Sequence, residues 1–96
     1  MKYTIRQTKK FRKELKKMLK RGVDRTKLSA VVKMLAKGEP LPPQYHDHAL
    51  TGDLAGTRDC HITPDWLLIY VKDTEIKIIS LLRTGTHSDL FGKKKR

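Results

Sequence analysis

Four histidines stand at positions 46, 48, 61 and 87 of this 96-residue chain, each close to a carboxylate, an aromatic ring or both. His46 and His48 flank Asp47, H-I-T-P-D-W joins His61 to Asp65 and Trp66, and R-T-G-T-H-S-D-L-F joins Arg83 to His87 and Phe91. Imidazole titrates near neutrality and serves as either proton donor or acceptor. Arginine offers a permanent planar fork to phosphoryl oxygens. A flat aromatic ring gives an unpaired base a surface to stack on. These are the parts that RNA cleavage needs, because the RNA brings its own nucleophile in the 2′-OH. A base must take that proton, an acid must protonate the departing 5′-oxygen, and cations must face the crowded phosphate.

The candidates for that chemistry are His48, His61, Asp65, Arg83 and His87, with Trp66 and Phe91 as base-stacking surfaces. Each has a plainer use. His61 could be a hydrogen-bonded strand residue, Asp65 a turn-former after Pro64, Trp66 a core residue and Arg83 an exposed strand end. Cys60 alternates with His61 and is expected to point into the core. A metal site would compete for the same side chains. Paired Cys/His spacing of the structural zinc type and an H-E-x-x-H helix are both missing from the sequence, so no metal and no cofactor is expected.

Charge separates the chain into two parts. Residues 1–37 hold 14 Lys/Arg and 2 Asp/Glu, which accounts for the whole net charge of +12, and residues 38–96 are balanced and hold every histidine. Lysines clustered on a helix attract a polyanion through phosphate contacts and counterion release. Lys9, Lys10, Arg12, Lys13, Lys16, Lys17, Lys20 and Arg21 are the expected RNA or ribosome contacts. The plainer use of such a run is a solvated face that keeps the protein in solution. A lone cysteine fits a reducing compartment, no secretory leader pattern is visible, and the apolar runs are too short to span a bilayer. A cytoplasmic protein without membrane contact is expected.

The elements that must position these groups are short. Tyr3–Thr8 alternates as a first strand. Thr8 caps a helix to about Arg21, with Phe11, Leu15, Met18 and Leu19 on its buried stripe. Asp24 caps a second helix carrying Leu28, Val31, Val32 and Leu35, which Gly38 and Pro40 end, and the two helices are expected to form an antiparallel hairpin. Leu41–Leu50 reads as irregular because of its prolines. Strands are expected over Thr57–Ile62, Trp66–Lys72 and Glu75–Arg83, with a two-residue Asp73-Thr74 turn that places Lys72 opposite Glu75. That register puts Leu67, Ile69, Val71, Ile76, Ile78 and Leu82 against the helices. It turns Trp66, Leu68, Tyr70, Lys77, Ile79, Leu81 and Arg83 away, and His61, paired with Trp66, goes with them. One α+β domain over residues 1–92 follows, a small antiparallel sheet packed by two N-terminal helices, with a basic tail at 93–96 that is either a solvated end or an extra phosphate contact.

The ordered motifs Y-H-D-H-A-L-x-G, G-T-R-D-C-H-I-T-P-D-W-L-L-I-Y and R-T-G-T-H-S-D-L-F-G resemble the YafQ branch of the RelE/ParE toxin superfamily. The likeness covers nearly the whole chain and is most specific over 45–52, 56–70 and 83–92. It implies a RelE-like, microbial RNase-like fold and a toxin of a type II toxin–antitoxin pair. The implied activity is ribosome-dependent endonucleolytic cleavage of mRNA in the A site, without a metal. The implied partners are the ribosome, mRNA and a DinJ-like antitoxin, with operator DNA as a further target of the toxin–antitoxin complex. The family's functional positions fall on His48, His61, Asp65, Trp66, Arg83, His87 and Phe91. His46 stands where relatives commonly carry another, basic residue, and Ala49 where they often carry proline. Two other readings remain at this point: a non-catalytic ParE-like gyrase inhibitor, and a basic module that coats RNA without cutting it.

Overall fold

The computed structural model describes residues 2–92; the basic tail at 93–96 lies outside the described residues. Thr8 accepts a hydrogen bond from the Phe11 backbone N–H at 3.0 Å and so starts helix α1 (Lys9–Lys20). The same hydroxyl lies 3.1–3.2 Å from the carbonyls of Leu81 and Leu82, which fixes the start of α1 to the sheet. Asp24 caps helix α2 (Arg25–Lys37) through the Thr26 N–H. Gly38 ends α2 at φ 79°, where a Cβ would also lie 2.8 Å from the Lys2 side chain. All eight basic residues named on and just after α1 are exposed, and Phe11 and Met18 are buried beneath them.

The sheet has five strands in the order β1-β5-β4-β3-β2. They are β1 (Thr4–Gln7), β2 (His48–Ala49), β3 (Arg58–Thr63), β4 (Trp66–Asp73) and β5 (Ile78–Gly85), and a short helix α3 (His87–Phe91) follows β5. The sheet is mixed: β1 runs parallel to β5 and the other neighbours are antiparallel. Each helix packs chiefly on strands, α1 on β5 and α2 on β3 and β1. The predicted two-helix α+β architecture therefore holds, with a parallel edge strand, a two-residue β2 inside the segment expected to be irregular, and α3 added.

The register of the central hairpin differs from the expected one. Lys72 pairs with Ile79 and Asp73 with Ile78, so the turn is the four-residue Thr74–Lys77, and β5 starts at Ile78 rather than Glu75. Lys77 takes a left-handed conformation (φ 60°) to close that turn, and Ile76 is 63% exposed instead of buried. A bulge at Ile69/Tyr70 shifts the pairing again along the strand. The shift from Glu75 to Ile79 is even, so the expected grouping of side chains survives, but the group that faces the helices is the opposite one. Trp66, Leu68, Tyr70, Ile79 and Leu81 pack with Phe11, Met18, Leu28, Val31 and Leu35 in the helix-side core. Leu67 and Ile69 lie on the opposite face and are fully buried there too.

Candidate active site

The face of the sheet away from the helices carries the candidate site. His61 pairs with Leu67 and not with Trp66, because a bulge between His61 and Thr63 moves Trp66 opposite Thr63. Directly opposed residues share a face, so His61 lies over Leu67, and Asp59, opposite Ile69, lies two residues along on the same side. Cys60 alternates inward to the core, where burial pushes its thiol up and removes it from nucleophilic chemistry.

His61 is the centre of the cluster. Its ring centroid is 5.0 Å from that of His46 and 5.3 Å from that of His87, the latter edge-on. Burial lowers the pKa of His61, Asp59 pulls it back up, and His46, His87 and His48 add to the lowering. His61 is therefore poised as the neutral imidazole. His48 belongs to β2, where it pairs in register with Asp59. Its Nδ1 is 2.6 Å from the His46 carbonyl, an atom that can only accept, so the proton sits on Nδ1 and Nε2 faces Asp59 Oδ2 at 3.7 Å. Asp47, between the two histidines, points the other way. Its Oδ1 accepts the Tyr70 hydroxyl at 2.7 Å and Arg58 Nε at 3.2 Å, which anchors the loop to the sheet.

His87 opens α3, and the structure fixes it twice. Thr86 and Asp89 form a reciprocal capping box around the first turn. Asp65, from the β3–β4 turn, then accepts the His87 backbone N–H at 3.3 Å and its Nδ1–H at 2.9 Å. Those hydrogen bonds from His87 hold the Asp65 carboxyl below its ordinary range. With Nδ1 engaged, Nε2 is the nitrogen left to exchange a proton. Phe91 follows His87 by one helical turn and is 41% exposed, so ring and imidazole share a side of α3. Beside His61 a cleft of about 590 Å³ extends past Thr63, Tyr45 and Lys27 toward the start of α2.

Two expected site residues lie elsewhere. Trp66 is 1% exposed within the helix-side core, and its Nε1–H donates to Thr84 Oγ1 at 2.8 Å, so it offers no face to a base. The strand inversion is the reason. Arg83 is committed to Glu14, the one acid on α1, through bonds of 2.7–3.1 Å from Nε and Nη2, and Glu14 also accepts the Thr84 N–H. Among the described residues no hydrogen bond joins Arg83 to the histidines. Its guanidinium anchors α1 to β5 through Nε and Nη2, and the side chain is 30% exposed. Arg21, expected on the polyanion-binding face, ion-pairs with Asp89 at 2.8 Å. Conversely, the sequence reading passed over Asp59 and left out His46. The signal for Asp59 was present in R-D-C-H, where i and i+2 in a strand share a face. His46 sits in a loop at φ 48°, and no strand alternation could place it.

A cluster of imidazoles and carboxylates exposed on one face of a small helix-backed sheet defines a compact acid–base centre, with none of its groups in a set of three His, Cys, Asp or Glu arranged to hold a metal among the described residues. Residues 3–92 match the family described as the bacterial toxin of type II toxin–antitoxin systems, YafQ. The chain belongs to that family. It is 45% identical over 83 residues to the mRNA interferase toxin YafQ of Escherichia coli strain K12, spanning 85% of this chain and 88% of that protein. The YafQ-containing chain of the E. coli DinJ–YafQ complex superposes with a TM-score of 0.86 at 40% identity, covering 94% of this chain and 99% of that one. A metal-bound toxin from Helicobacter pylori gives a TM-score of 0.86 at 45% identity, covering 93% and 99%.

Proposed function

We propose that this protein is the toxin of a type II toxin–antitoxin pair and an mRNA interferase that cuts mRNA in the ribosomal A site by metal-independent acid–base catalysis. The observation that carries the reading is the meeting of His48, His61, His87 and Asp65, from three separate segments, on one exposed face. The 2′-OH attacks the adjacent phosphate, and a neutral imidazole takes its proton. His61, held neutral by burial, suits that task, with His48 beside it. His87, its tautomer fixed by Asp65, returns a proton through Nε2 to the departing 5′-oxygen. The products are a 2′,3′-cyclic or 3′-phosphate and a 5′-hydroxyl. Phe91 packs against a base, and the exposed lysines of α1 bind rRNA phosphates.

The similarity to YafQ in the DinJ–YafQ complex supports a DinJ-like antitoxin as a partner, and we assign to that partner the inhibition of the toxin and to the pair an operator-DNA target. Cleavage on translating ribosomes would require the protein to act in the cytoplasm. Among the described residues no helix is long and apolar enough to cross a membrane. The test is to map mRNA 5′ ends after brief induction. Cuts inside translated frames, carrying 5′-hydroxyls and abolished in a folded His87→Ala variant, are expected. Intact mRNA together with inhibited DNA supercoiling would replace this reading with gyrase inhibition.

A further inference from the structure

We propose that Asp59 is a positioning residue: a buried carboxyl beneath the imidazole cluster that sets how protons are shared among His48, His61 and His87. The side chain is 5% exposed, and Oδ1 is fully buried with no hydrogen-bond partner among the described residues. A native carboxylate left in that state calls for an account, since an orphaned buried acceptor costs stability. Asp59 caps no helix, closes no turn and bonds to no backbone N–H among the described residues, so local structure does not explain it. Its position does. In register it is flanked by His48 on β2, and it shares its face of β3 with His61. Its Oδ2 faces His48 Nε2 at 3.7 Å, beyond direct hydrogen-bond reach but well within Coulombic range.

The charged groups around it are few. Burial raises the Asp59 carboxyl above its ordinary value, His48, His61 and His87 pull it back toward the ionised form, and the Asp47 carboxylate adds to the rise. Seen from His61, Asp59 is the one acid that supports its protonated form, against burial and against His46, His87 and His48. Nothing from solution reaches Oδ1, so Asp59 does not touch substrate and acts through its field. Without it, crowded imidazoles repel each other's protons, and the cluster loses the charge gradient that separates a proton acceptor from a proton donor. The purpose assigned to this gradient rests on the nuclease reading, whereas its physical test does not.

The test is Asp59→Asn, which keeps the shape and removes the charge. The four imidazoles are titrated by NMR in both proteins, without RNA. The His61 midpoint is expected to fall in the variant, and Asp59→Glu is expected to bring it back toward the original value. In ribosome-dependent cleavage, kcat should fall on the order of tenfold at neutral pH with KM unchanged, and the limb governed by His61 should move to lower pH. Should Asp59→Asn not fold, the Asp59 carboxyl 13C resonance of the unaltered protein gives the answer, because it should inflect at an imidazole midpoint. Unchanged imidazole midpoints in a folded variant, or a carboxyl resonance silent through that range, would overturn the proposal. Shifted midpoints in a protein that cuts no RNA would sink the nuclease reading and leave Asp59 in its role.

Discussion

Asp89→Ala tests how α3 carries His87. The Asp89 carboxylate accepts Arg21 Nη1 at 2.8 Å, Arg21 Nη2 at 3.4 Å and the Thr86 N–H at 3.0 Å, and Thr86 Oγ1 receives the Asp89 N–H at 3.1 Å. Arg21 is the main reason its pKa drops from 3.8 to about 2. A displacement of that size corresponds to about 2.5 kcal/mol as an upper bound. With 35% of the side chain in water, screening reduces this share to about 1 kcal/mol. The bond from the Thr86 N–H is already part of that displacement, and the Thr86 cap on the residue-89 backbone N–H survives the substitution. A loss of that size lowers the ratio of docked to undocked α3 by roughly fivefold. No residue of α3 is fully buried, so the helix relies on these polar ties and global stability should move little. Hydrogen exchange is the assay. The Leu90 and Gly92 amides, bonded within α3, should exchange faster while β4 and β5 keep their protection, and cleavage should fall with α3 docking. Because the folded-state value is depressed, the stabilisation is complete above the ordinary carboxylate range and is lost as pH falls from near 4 toward about 2. Unchanged exchange in α3, or a frayed α3 with full cleavage, would refute the reasoning.

Gly85→Ala should give the same phenotype by crowding, because a Cβ there would lie 2.9 Å from Asp89 Cβ and 3.0 Å from Oδ2; full activity with an unmoved α3 would contradict it. Trp66→Phe should cost about 1 kcal/mol or more through the lost volume and the lost indole N–H bond to Thr84, whose hydroxyl still donates to the Leu67 carbonyl, and a thermal melt checks this. KM for mRNA should stay the same in that variant, since the ring never meets a base. If His61 is the base, cleavage should persist to lower pH than an ordinary histidine allows, and folding stability should decline as pH falls below the ordinary imidazole range, where the unfolded chain binds the proton more readily. Ribosome-dependent cleavage should survive chelation of divalent ions from the toxin; loss restored by one particular metal would reverse the metal-independent assignment.

The parts legible in the sequence were those whose causes are local. Thr8, Asp24 and Gly38 announced both helices because capping depends on a few neighbouring residues. The central hairpin was not legible. W-L-L-I-Y-V has no polar alternation, and the structure buries Leu67 and Ile69 as completely as Trp66, Leu68 and Tyr70, so hydrophobicity could not tell the two faces apart. The left-handed Lys77 and the bulges at Ile69/Tyr70 and His61/Thr63 then shifted the register without any proline or glycine at those positions to mark it. His61 nevertheless came out on the side away from the helices. It was paired one residue out, with Trp66 in place of Leu67, and the face of Trp66 was inverted, so the two errors cancelled. Trp66 had no such cancellation, and the ring expected on the open face lies in the core.

The candidate groups also differ in how firmly they are held, and this bears on what mutations will do. His61 and Asp59 stand on β3, inside the sheet and over the buried Leu67 and Ile69. His48 rides on a two-residue strand whose loop is tied down by the bonds of Asp47 to Tyr70 and Arg58, and His87 rides on a five-residue helix tied down by Asp89 and Asp65. The distance from His61 on β3 to His87 on α3 is therefore set by polar ties at the rim rather than by the core. Core substitutions should lower stability while the surviving folded molecules keep their turnover. Substitutions in the rim ties should do the reverse, leaving the melting temperature nearly unchanged while turnover falls.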